Sequence, residues 1–231
     1  MLVICNGLPR SASTWSYIVA MRLLRGATGA QTHGGYDENI YRFMRDLPAS
    51  AAHAVLKCHG MDAAGLGLSQ LHAARVIYTW RDLKDATASF MAMFGADFDH
   101  TFAVMSNSLD LYARHRASGA LILGYPEILQ DGPTAVARIA DYLGLATERE
   151  MVESVAEGAS LAKTRERVDL IGSIDYGDRL IRHEQSLYDP ETLLHVDHVR
   201  NGGIGYGAEA LNEAQRRRID RLAQDKGLMP G

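Results

Sequence analysis

Short apolar runs alternate with longer amphipathic stretches along this chain. "LVICN" (residues 2–6), "AVLKCH" (54–59), "ARVIYTW" (74–80) and "ALILGY" (120–125) are brief, apolar and partly β-branched, the pattern of strands covered on both faces. Helical spacing predicts helices over 14–25, 64–73, 83–94, 100–117, 133–143, 148–157 and 209–227. This order predicts an α/β fold with a central parallel β-sheet flanked by helices, which binds its ligands at the carboxyl ends of the strands. The stretch 164–207 is the least regular. It holds Gly172, Gly177, Gly202, Gly203, Gly205 and Gly207 and is expected to form loops or lids. No repeat, low-complexity segment or linker interrupts the pattern.

Composition narrows the class. With 231 residues, 47% of them hydrophobic, the chain suits a single domain over 1–231 with a full core. Cys5 and Cys58 both lie in apolar segments without paired spacing, so neither a disulfide framework nor a zinc site is expected, and a reducing cytoplasm fits. The chain shows no leader-like N-terminus and no uncharged apolar run near the roughly 18 residues that span a bilayer, so a soluble, unexported protein is expected. A net charge of −4 argues against nucleic acid or an acidic membrane surface as partner. Any anion site must therefore be local.

Three strand ends carry candidate chemistry. After the first strand, "GLPRSASTW" (7–15) turns into a helix whose first amides lack internal acceptors; Arg10 adds fixed charge, and Ser11, Ser13 and Thr14 add hydroxyl donors. On these residues alone the loop is either an anion cradle or a plain helix start capped by Ser11 or Ser13. The run at 74–80 ends in Arg81, with Asp82 as a helix cap and Ser89 two turns into the next helix; Arg81 reads either as an anion ligand or as a surface partner of Asp82 or Asp85. In "AVLKCHG", Lys57 and His59 project to one side and Cys58 to the other. Side by side at the mouth of an anion site, they make a charge stabiliser and a general base.

Five segments, in order from residue 7 to residue 207, resemble the sulfotransferases that use 3'-phosphoadenosine 5'-phosphosulfate (PAPS). "LPRSASTW" is similar to the 5'-phosphosulfate loop, and "YTWRDLKDATASF", with Arg81 and Ser89 eight apart, to the 3'-phosphate segment. "LKCHG" resembles the strand that carries a lysine and the catalytic histidine. "LGYPEILQD" (123–131), with Tyr125, resembles a segment near the adenine, and "VRNGGIGYG" (199–207), with Arg200, Asn201 and Gly202, the element that closes over the 3'-phosphate. The resemblance implies a P-loop-nucleotide-hydrolase-like sulfotransferase fold and sulfuryl transfer from PAPS to a hydroxyl of a small-molecule, sugar or lipid acceptor, leaving 3'-phosphoadenosine 5'-phosphate (PAP). His59 would be the base, with Lys57 and Arg10 stabilising the bridging and leaving oxygens. Thr14 and the loop amides would hold the 5'-phosphate, and Arg81, Ser89 and Arg200 the 3'-phosphate.

There are departures. Ala12 stands where the family has a loop glycine, Arg10 where many members have lysine, and Asn201 where a lysine is usual. Leu161 falls where an aromatic residue often meets adenine, which leaves Trp15 to stack on the base. The candidate acceptor walls are 31–43 (His33, Tyr36, Tyr41), 90–105 and 164–198, although methionine and aromatic residues at these spacings more often form core; where they line the pocket, a partly apolar alcohol or phenol is favoured over a charged polysaccharide, with a sugar or glycolipid left open. His195 and His198 with Asp197 between them invite a metal reading, but no third ligand stands at a supporting spacing, so no metal is expected. Two other classes share parts of the pattern. A P-loop small-molecule kinase using ATP and magnesium lacks its G-K-[ST] signature here, and a non-catalytic nucleotide-binding protein leaves Lys57 and His59 without a task. The helix at 209–227, with "QRRRIDRL", reads as solvated rather than as a dimer seam.

Overall fold

A computed structural model describes residues 1–173, 180–183, 186–196, 198–199 and 202–227. The chain runs β1 (Leu2–Gly7), α1 (Ser13–Thr28), β2 (Thr32–Tyr36), α2 (Ile40–Arg45), β3 (His53–Lys57), α3 (Ala63–Gln70), β4 (Arg75–Trp80), α4 (Leu83–Phe94), α5 (Phe98–Ala117) and β5 (Leu121–Gly124). There follow α6 (Tyr125–Gln130), α7 (Gly132–Leu143), α8 (Arg149–Gly158), α9 (Leu161–Ser173), the short strands β6 (Ile181–His183) and β7 (Ser186–Tyr188), α10 (Tyr206–Ala210) and α11 (Glu213–Asp225).

Five strands form one parallel sheet in the order β2-β3-β1-β4-β5, and β6 pairs antiparallel with β7. Side chains alternate across the sheet as the apolar runs predict. Val3, Cys5, Val55 and Ile77 pack with α1, α7 and α8, whereas Ile4, Leu56 and Val76 join Ile40 and Phe43 in a separate cluster. A third cluster joins Leu8 to α4, α5 and α11 through Leu83, Leu109 and Ile219. Each fully buried aliphatic side chain here contributes about 1.5–3 kcal/mol. Between β3 and β4 the chain crosses from one side of β1 to the other, so the loops after β1, β3 and β4 meet at one carboxyl edge.

Four differences from the pattern have physical causes. β2, "THGGY", has no apolar run because it is an edge strand packed close on α1; a Cβ on Gly34 would lie 2.2 Å from the Tyr17 hydroxyl. β3 ends at Lys57, so His59 sits in the following turn rather than in the strand. The expected helix at 209–227 divides at Asn212, whose side chain accepts the Gln215 amide while Gln215 reaches back to the Asn212 amide. The irregular stretch from 164 begins inside α9, and its described residues include the paired strands β6 and β7.

Candidate active site

The loop after β1 is shaped by backbone constraint. A Cβ on Gly7 would lie 2.2 Å from Thr79 Oγ1, so β1 meets the end of β4 at a distance only glycine allows. Ser11 locks that junction: its hydroxyl bonds the Leu8 carbonyl at 2.5 Å and the Thr79 carbonyl at 2.8 Å, and its amide donates to the Leu8 carbonyl. Ser11 is fully buried, so the expected role of its hydroxyl as an anion donor is corrected to a structural one. Arg10 and Ala12 both have left-handed backbones, at φ 68° and 77°. Ala12 occupies the N-cap position of α1 and offers no side-chain cap, so neither Ser11 nor Ser13 closes the helix start. Ser13, Thr14 and Trp15 of the first α1 turn, where amides lack internal acceptors, line the cavity.

At the end of β3, Lys57 is buried and its ammonium donates to His59 Nε2 at 3.0 Å. An ammonium has no acceptor, so the His59 proton sits on Nδ1, which faces the Gly7 carbonyl at 3.3 Å. Burial pushes Lys57 down to about 8, with the Glu38 carboxylate opposing and Arg10 adding to the fall. Burial and then the Lys57 charge push His59 down to about 3. The imidazole is therefore a neutral base at physiological pH. The Tyr36 ring covers the ammonium at 4.9 Å.

Arg81, at the end of β4, is only 6% exposed, which rules out the surface ion pair. Its guanidinium donates to the Gly203 carbonyl at 2.6 Å and the Arg10 carbonyl at 3.3 Å, lies 3.7 Å from Asp85 and stacks 4.3 Å from the Tyr125 ring centroid. Asp82 caps α4 as expected, through the Asp85 amide. Arg10 joins the two anion signals, since its Nε donates to Ser89 Oγ at 3.2 Å and its Nη2 to the His198 carbonyl at 2.8 Å. The C-terminal strap is fixed by Tyr125, whose hydroxyl donates to the Gly202 carbonyl, and by Asp85, which accepts the Gly205 and Gly207 amides at 2.8 and 2.7 Å. Leu161 packs beside Gly202, where an added Cβ would lie 2.9 Å from it. Arg200, Asn201 and Asp197 lie outside the described residues.

These groups line one cavity of about 780 Å³. Arg10, Lys57, His59, Arg81 and Ser89 meet there; Ala12, Trp15, Tyr125, Leu161 and Gly202 also border it. Tyr36, Phe90, Phe94 and Val104 supply apolar wall. His33 turns to Phe43 instead, and Tyr41 stands 76% exposed outside the cavity. His195 and His198 meet edge to face at 4.4 Å; burial, then His195 and the nearby cations, push His198 well below the ordinary histidine value. Among the described residues no group of three His, Cys, Asp or Glu is placed to hold a metal ion.

No family model and no curated protein sequence matches the chain. Solved structures do. Mouse sulfotransferase SULT7A1 complexed with PAP superposes with a TM-score of 0.69 at 14% identity, over 97% of this chain and 84% of that one. The chain has the sulfotransferase fold. Retinol dehydratase in a complex with retinol and PAP gives a TM-score of 0.66 at 16% identity, over 97% of this chain and 80% of that one. The same values hold for retinol dehydratase with androsterone and PAP. No helix among the described residues is long and apolar enough to cross a membrane.

Two carboxylates at this sulfotransferase-fold edge have roles the sequence reading did not find: Asp85, named there only as a surface partner of Arg81 and in fact buried beside it, and Glu38, not named at all. Both bind backbone amides distant in sequence, and no side-chain pattern announces such a partner. Glu38 accepts the His59 amide at 3.1 Å and the Gly60 amide at 2.5 Å.

Proposed function

We propose that the chain is a PAPS-dependent sulfotransferase acting on the hydroxyl of a small, partly apolar acceptor. The observation that carries this reading is the Lys57–His59 pair, 3.0 Å apart, opening onto the same cavity as Arg10 and the uncapped start of α1. The acceptor oxygen bonds to sulfur as the bond from sulfur to the 5'-phosphate oxygen breaks, and the acceptor proton passes to His59 Nε2. Lys57, released from Nε2 by the incoming hydroxyl, turns its ammonium to the leaving oxygen. Arg10, Thr14 and the first α1 amides bind the 5'-phosphate; Arg81 and Ser89 bind the 3'-phosphate, to which the sequence resemblance adds Arg200. A charged phosphate oxygen is a stronger acceptor than the carbonyls of His198 and Gly203 that these guanidinium groups now meet. Trp15 stacks on the base, beside Leu161 and Tyr125.

The depressed value of His59 suits this order of events. Burial first, and then the cations beside it, hold its basicity down, and the negative charge of the donor offsets the part due to the cations. His59 therefore becomes a stronger base once the donor is seated. Positioning and charge stabilisation dominate such a transfer, because the transferred group forms little covalent chemistry with the protein. Phe90, Phe94 and Tyr36 favour an apolar alcohol or phenol at the front of the cavity.

Calorimetry separates this reading from that of a kinase. PAP is expected to bind more tightly than ATP with magnesium, and preference for ATP would overturn the proposal. Transfer from PAPS across a panel of alcohols, phenols and sugars then tests the acceptor class; sugars turned over in preference to phenols would contradict it.

A further inference from the structure

We propose that Glu38 is a positioning residue for transfer: its carboxylate clamps the His59–Gly60 turn and the Tyr36 hydroxyl together, which fixes the His59 imidazole and the aromatic cover of Lys57. This rests on the sulfotransferase reading above. Glu38 Oε1 accepts the His59 amide and the Tyr36 hydroxyl, while Oε2 accepts the Gly60 amide. One rim carboxylate thereby joins the end of β2 to the catalytic turn. The same turn is held from behind, where Asn6 Nδ2 donates to Cys58 Sγ and to the Gly60 carbonyl, both at 3.1 Å.

Two further observations fit a clamp rather than an incidental surface contact. A Cβ on Gly60 would lie 2.9 Å from Glu38 Oε2, so residue 60 is glycine where the carboxylate approaches. The segment that carries Glu38 is itself rigidly tied. Asp37 is buried, its amide donates to the Lys57 carbonyl, and its carboxylate takes both Arg42 Nε and Nη2 at 2.6 and 2.5 Å. Asp62, just past the turn, accepts the Ile40 amide at 3.1 Å. Segments 36–42 and 58–62 thus form one unit, with Glu38 at its catalytic end.

Three variants test the clamp: Glu38→Ala, Glu38→Gln and Gly60→Ala, each assayed for kcat, acceptor and donor KM, PAP affinity, the pH profile and thermal unfolding. A displaced catalytic group costs on the order of 100-fold, so Glu38→Ala is expected to lower kcat by about 10- to 100-fold with PAP affinity within about threefold. Glu38→Gln, which keeps one acceptor oxygen, is expected to fall between that variant and wild type. Burial holds Lys57 down and the Glu38 carboxylate opposes that fall, so both Glu38 variants, which remove its charge, should move the alkaline limb of kcat/KM to lower pH. Gly60→Ala keeps the charge but displaces it, so it should lower kcat with a smaller movement of that limb. Should Glu38→Ala fail to fold, Glu38→Gln decides alone. Turnover within twofold of wild type with an unmoved alkaline limb in Glu38→Gln would overturn the clamp. Absence of PAPS-dependent transfer in wild type would instead overturn the functional reading.

Discussion

On the proposed reading, the donor side and the acceptor side of the cavity are built differently. On the donor side, a buried Arg81 and a half-buried Arg10 are held by backbone carbonyls: Arg81 bonds Gly203 and Arg10, and Arg10 bonds His198. On the acceptor side, an exposed carboxylate and a 51%-exposed tyrosine hold the catalytic turn at the rim. The first arrangement suits a highly charged ligand, because rigid, partly desolvated donors are worth most against phosphate. The second suits an apolar molecule that must enter and leave past Tyr36 and Phe94. Lys57 and His59 lie at the seam between the two, which is where the transferred group must sit.

Substitutions on either side should therefore separate in what they change. The largest effect is expected at the seam. Lys57→Ala should lower kcat on the order of 100- to 1,000-fold, the loss typical of one transition-state donor, with a smaller loss of PAP affinity. Equal losses in kcat and in PAP affinity would erase the seam as a separate region. Next comes Arg81→Ala, expected to weaken PAP about 10- to 100-fold, the worth of a charged hydrogen bond, and to leave acceptor KM unchanged. A shift in acceptor KM instead would break the division between the two sides.

The pH profile gives a finer test. Lys57 acts as the ammonium and is held down to about 8, so kcat/KM should fall as pH rises through about 8. Bound donor carries negative charge and favours the ammonium, so the corresponding limb of kcat should lie at higher pH. A kcat limb at lower pH than that of kcat/KM would contradict the charge pairing.

The smallest effect is expected at Ala12. Its φ of 77° places a Cβ where L-residues cost about 1–2 kcal/mol, and glycine gives back about 0.5–1 kcal/mol in chain entropy. Ala12→Gly should raise stability by about 1 kcal/mol or less, a rise in Tm of at most about 2–4 °C for a chain of this size. A fall in Tm would show that the left-handed loop is not strained.

The two sides also differ in how far their residues could be read from sequence. Four strands of the main sheet were legible because burial on both faces leaves unbroken apolar runs; Arg10, Lys57, His59 and Arg81 stood out as candidates because they follow or end strands, and Ser89 through its spacing of eight from Arg81. The acceptor side was legible only in outline: 31–43 and 90–105 were named as walls, and Tyr36, Phe90, Phe94 and Val104 do line the cavity, but the parts that hold them were not. β2 carries glycines set by close packing on Tyr17, and Glu38 reads as part of a solvated acidic stretch, "DEN", because its partners are amides 21 and 22 residues away. Ser11 shows the opposite error. Its hydroxyl looked like an anion donor beside Ser13 and Thr14, yet its direction is fixed by Thr79, 68 residues away.

The central claim is that His59 takes the acceptor proton during sulfuryl transfer from PAPS. The most direct measurement pairs turnover with PAP binding in wild type and His59→Ala. Wild type should form a sulfated acceptor and PAP together, and His59→Ala should lose about 100- to 10,000-fold in turnover while binding PAP as wild type does. Full turnover in His59→Ala would contradict the account.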